Sequence, residues 1–158
     1  MAAALLKRVE ELERKASAVN FIAGTGTVIG LVSPCGQLTK CIRFDGDSYV
    51  EVHGAEPQAF FAEKLEPVFT RPKRFIVIIG GRGSGKSIAV GDIGLIEMHD
   101  RGANFMCLRE FQASIADSVH SLMKEEAERL ELDGLDVTER ALRFSHNGSS
   151  AEFSGLAR

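Results

Sequence analysis

The spacing of apolar and polar positions changes character along the chain. Leu5, Val9, Leu12, Ala16 and Val19 recur at alternating steps of four and three, which predicts a helix over residues 3–18 with one apolar seam. Glu10, Glu11 and Glu13 supply its solvated side. The seam is shorter than three heptads, so it suits an ordinary amphipathic helix as well as a short coiled coil. Beyond it, glycines at 24, 26, 30, 36 and 46 punctuate β-rich runs at 27–32, 38–44 and 48–53. Asp45-Gly46-Asp47 reads as the turn of a hairpin, and the whole as a small β-meander. Residues 55–70, with Phe60, Phe61, Leu65 and Phe69 on one side, predict a helix that Pro67 distorts or ends.

From Phe75 the order becomes strand, glycine loop, helix, strand, helix. Residues 75–79 are a continuous apolar, largely β-branched run, as in a strand buried on both faces of a parallel sheet. A helix is expected over 87–98, a strand over 104–108 and a long helix over 112–132. Short runs at 141–144 and 151–153, with Asn147-Gly148 between them, predict a closing hairpin. The expected fold is α/β: a partial P-loop NTPase parallel sheet behind an N-terminal helix and a small β-rich segment. We place the boundary between a segment over 1–54 and the ATPase part over 55–158.

Composition narrows the class. The chain has 158 residues, 44% hydrophobic and 26% charged, enough apolar material for a globular core. A formal net charge of -3 gives no global field toward nucleic acid, though a local basic patch is compatible with it. Cys35, Cys41 and Cys107 lack the spacing of a disulfide framework or a four-ligand zinc site, which points to reduced thiols in the cytoplasm. No apolar run approaches the roughly 20 residues of a membrane span.

The chemistry lies in FIVIIGGRGSGKS, which contains G-x-x-x-x-G-K-S between an expected strand and an expected helix. Gly80, Gly81, Gly83 and Gly85 let the backbone fold closely around phosphate oxygens, with Arg82 and Ser84 between them. The following helix directs its positive end to the same place. Lys86 is expected to reach the β- and γ-phosphates of ATP, or of GTP, and the Ser87 hydroxyl to ligate Mg²⁺. Arg82 is either a group that stabilises transition-state charge or an exposed loop arginine. Residues 80–87 are therefore the nucleotide-binding candidates, Arg82 and Lys86 the catalytic ones, and Ser87 the metal ligand. No apolar strand ending in paired acids follows the loop before Arg158. Glu125-Glu126 lies in a helical pattern, and Glu152 lacks the right strand before it. The expectation is nucleotide binding with machinery incomplete for hydrolysis, in the front part of a longer enzyme.

Two blocks carry a family resemblance. RFIVIIGGRGSGKS followed by FMCLREFQASIADSVHSLMKEE resembles the large terminase subunit of tailed bacteriophages, with Arg82 in the loop, Arg109 ending the next strand, and Ser114 and Ser118 beyond. FSHNGSSAEFSGLAR resembles the hairpin that precedes the family's acidic strand. The resemblance covers residues 57–158. It implies an ATPase that moves viral double-stranded DNA into a capsid from the host cytoplasm. A ring of copies, a portal, a small terminase subunit and a separate nuclease domain are implied with it. It also implies a glutamine on the adenine side, for which Gln58 is the candidate. The other reading of the same loop is a nucleotide-binding regulatory module with no motor role. The histidines 53, 99, 120 and 146 show no catalytic pattern, and His99 at a helix end suits the helix dipole.

Overall fold

The computed structural model describes residues 26–71, 73–111, 119–138 and 141–157, and only the backbone of 109–111 and 155–157. The helix expected over 3–18 lies outside these residues. The β-rich runs form strands β1 (Ile29–Val32), β2 (Leu38–Phe44) and β3 (Tyr49–Val52). The turn before β3 closes as its composition predicts. Asp45 accepts the Asp47 and Ser48 backbone N–H groups through Oδ1, at 3.0 and 2.9 Å, and Gly46 supplies a φ of 108°.

Residues 55–70 depart from the expected helix. Strand β4 (Ala59–Ala62) runs parallel to β1, followed by a 3-10 turn at Glu63–Leu65 and the short helix α1 (Glu66–Thr70). Ala59 and Phe61 alternate inward while Phe60 faces out, a period of two inside what reads as a helical apolar side. Pro67 stands in the first turn of α1, where its missing N–H costs no helical bond. The first sheet has the order β3-β2-β1-β4.

The glycine-rich segment at 80–85 is followed by α2 (Lys86–Arg101), then β5 (Phe105–Phe111), α3 (Ser121–Arg129), and strands β6 (Leu135–Val137), β7 (Ala141–Phe144) and β8 (Ser150–Ala157). The second sheet has the order β5-β8-β7-β6. Its β5–β8 pair is parallel and its other pairs are antiparallel. The molecule is therefore a mixed α/β structure, and among the described residues its strands form two small mixed sheets and not one parallel sheet. The physical reason is in residues 75–79. They form no strand, and Phe75, Val77 and Ile79 are 81, 80 and 89% exposed. An apolar β-branched run becomes a strand only where a neighbour completes its hydrogen-bond ladder. Here β5 pairs with β8, and no described strand pairs with 75–79.

One buried cluster spans both sheets. It joins Ile29, Leu31 and Phe61 of the first sheet to Leu95, Ile96 and Met98 of α2, Met123 and Ala127 of α3, and Leu142, Phe144 and Phe153 of the second. Helix α2 is the shared wall, and polar ties reinforce it. Buried Asp100 accepts Thr27 N at 2.9 Å and Thr27 Oγ1 at 3.2 Å. Tyr49 donates to Glu97 Oε1 at 3.0 Å, and burial raises its phenol well above the ordinary range. Among the described residues no helix is long and apolar enough to cross a membrane.

Candidate functional site

The glycine loop closes onto the first turn of α2. Gly83 and Gly85 take φ of 76° and 73°, a left-handed backbone that only glycine adopts without strain. A Cβ at Gly81, Gly83 or Gly85 would meet open space, so the glycines there serve backbone curvature and leave the rim clear. Gly85 is the N-cap of α2, no side chain bonds to the cap, and no acidic residue stands in the first turn. A 16-residue helix thus presents its positive end and uncapped first-turn amides next to the loop.

Lys86 folds back across this loop. Its Nζ donates to Gly80 O at 2.9 Å, Gly81 O at 2.6 Å and Ser84 Oγ at 3.0 Å. Ser87 is exposed in the first turn of α2. Arg82 is exposed and has no ion-pair partner among the described residues. The segment 80–87 is therefore continuous, solvent-facing and cationic. Glu152 lies within β8, paired with Met106 and Ala141, and not at the strand's carboxyl end.

The remaining sequence candidates divide. Arg109 lies in β5 opposite Gly155, its side chain outside the described residues, as are Ser114 and Ser118. Gln58 accepts Val28 N through Oε1 at 3.1 Å, while its backbone N–H bonds Val28 O at 2.9 Å. That side chain ties the start of β4 to β1. His120 donates from Nε2 to Thr138 O at 2.7 Å and lies edge-on to Phe153, a structural role. His99 stands in the last turn of α2, its Nδ1 2.7 Å from Asp100 Oδ1. Among the described residues no group of three or more His, Cys, Asp or Glu could hold a metal. A groove of about 550 Å³ between α3 and β6, lined by Lys124, Glu128, Leu135 and Val137 among others, contains none of the loop residues.

Sequence reading missed a charged cluster behind the loop. Asp92, on the second turn of α2, is 4% exposed. Its Oδ2 accepts Arg129 Nη2 at 2.6 Å, and Arg129 Nε also bonds Glu126. Asp92 Oδ1 has no hydrogen-bond partner among the described residues. Burial raises the Asp92 carboxyl to about 6; Arg129 opposes the rise and Glu126 adds to it. At the same interface Met123 packs over Gly91 and Gly94. An aspartate between apolar residues of a predicted helix is the signal that pointed here.

Comparison with known proteins bears on the loop and everything after it. A family model described as phage terminase large subunit matches residues 72–158. No curated protein matches the chain.

Proposed function

Because the chain belongs to the phage terminase large-subunit family, we propose that residues 80–87 are the Mg·ATP site of a DNA-packaging motor ATPase. The observation that supports the site is the loop itself: a clear glycine rim, an uncapped helix end, and the Lys86 ammonium poised within it. These features fit a polyphosphate, since amides, helix end and ammonium all favour negative charge. Gly80, Gly81, Gly83, Ser84 and Gly85 cradle phosphate oxygens. Lys86 reorients toward the β- and γ-phosphates. Ser87 Oγ would hold Mg²⁺, whose chemistry when bound would be to neutralise phosphate charge, and the exposed Arg82 would offset negative charge building on the transferring group.

The loop residues account for nucleotide binding, and binding is the step assigned to them here. Viral double-stranded DNA, a portal, a small terminase subunit and a ring of copies, in the host cytoplasm, follow as partners and setting of the family role. The exposed run at 75–79 beside the loop supports association with further polypeptide, since contiguous apolar surface marks interaction sites. The test is equilibrium binding of a fluorescent ATP analogue with Mg²⁺, alongside phosphate release. The expected result is measurable binding, with any phosphate release, lost in Lys86→Ala. Binding unchanged in Lys86→Ala would refute the site. Nucleotide affinity without any DNA or portal association would favour a regulatory module instead.

A further inference from the structure

We propose that Ser84 is a positioning residue that latches Lys86 onto the loop's own carbonyls, so that an incoming anion must displace this internal contact to bind. The proposal rests on the reading of residues 80–87 as a phosphate site and concerns how that site is gated. A lysine ammonium has three N–H donors. Three acceptors meet it here: Gly80 O, Gly81 O and Ser84 Oγ. The Ser84 hydroxyl proton is itself directed to Gly81 O at 2.9 Å, which leaves its lone pairs for Lys86. One serine therefore donates to the loop backbone and accepts from the lysine, and Gly81 O accepts from both the serine and the lysine.

Gly80 makes the space for this arrangement. A Cβ there would lie 2.9 Å from Ser84 Oγ and 3.4 Å from Lys86 Cδ, too close to the serine hydroxyl for both to stay in place. In the latched state the ammonium's donors point inward, at the chain. Binding a polyphosphate then exchanges two carbonyls and a hydroxyl for phosphate oxygens. The exchange slows association.

The experiment has a nucleotide-free arm and a nucleotide arm, both on the full chain. In the first, amines are acylated with a water-soluble N-hydroxysuccinimide acetate and quantified by peptide mass spectrometry. Exposed Lys64 and Lys73, which bond nothing among the described residues, serve as references. Lys86 is expected to react more slowly than the references in the wild type and about tenfold faster in Ser84→Ala, the order of a hydrogen bond to a charged group. Ser84→Thr, which keeps the hydroxyl, restores the slow rate. In the second arm, stopped-flow binding of a fluorescent ATP analogue is expected to show faster association in Ser84→Ala than in the wild type. Acylation and association rates that are the same in wild type and Ser84→Ala would overturn the latch while leaving the phosphate site standing. Absence of nucleotide binding in wild type, Ser84→Ala and Ser84→Thr alike would overturn the phosphate-site reading and the gating with it.

Discussion

Asp92→Asn removes one partner of an ion pair, yet it is expected to stabilise the chain at neutral pH. The Asp92 carboxylate is buried with one oxygen bonded to Arg129 and the other unpartnered among the described residues. Burial carries the carboxyl from 3.8 to about 6, so desolvation outweighs the attraction of Arg129. A group held above its unfolded value keeps its proton more tightly in the folded chain. Its ionisation therefore costs stability: the cost is absent below pH 3.8, grows as pH rises toward about 6, and is complete above that. At about 1.4 kcal/mol per pH unit the full cost is about 3 kcal/mol. Asparagine keeps the shape, offers Arg129 a carbonyl oxygen and cannot ionise, and Glu126 still holds Arg129. Urea unfolding at pH 4.5, 6 and 7.5 measures the difference. Asp92→Asn is expected to gain up to about 3 kcal/mol over the wild type at pH 7.5 and about 1 kcal/mol at pH 4.5. A variant less stable than the wild type at pH 7.5, or a gap independent of pH, would refute the reasoning and show that the ion pair outweighs its desolvation.

Two further substitutions probe the frame around the loop. Phe144→Ala empties a fully buried position of the shared core and is expected to cost about 3–5 kcal/mol in urea unfolding. Asn147→Ala removes the side chain that donates to Met98 O and His99 O at the end of α2, at 2.8 and 2.9 Å. It is expected to cost about 1–2 kcal/mol and to speed amide exchange in the last turn of α2.

What the sequence revealed of the fold depended on how local each signal was. The turn at Asp45 and the hairpin at Asn147-Gly148 were legible because each is closed by groups within a few residues. Asn147 Oδ1 accepts Ser149 N at 2.9 Å, and Gly148 supplies a φ of 74°. The helix after the glycine loop was legible for the same reason, with Gly102 ending it in the left-handed conformation. Residues 59–62 misled because Phe60, Phe61, Leu65 and Phe69 suit a helical side, while the parallel pairing with β1 that decides the matter comes from about thirty residues upstream. The run at 75–79 misled in the opposite direction. Its composition suits a buried strand, and composition alone supplies no partner for its backbone.

The candidate site shows the same division, and it bears on how the loop can work. Residues 80–87 were legible because the motif is contiguous. The Asp92–Arg129 contact, 37 residues apart, was not, and nor were the ties that hold the far end of α2. Those ties are numerous: Thr27 on Asp100, Tyr49 on Glu97, and Asn147 and Ser149 on Met98 O. Among the described residues the side-chain hydrogen bonds of the near end are those Lys86 makes within the loop. Helix α2 is thus tied by polar contacts to both sheets at its carboxyl end, while Ala89 and Ile93 rest on the core toward its amino end. Six residues beyond Lys86, the Asp92–Arg129 contact joins this helix to α3.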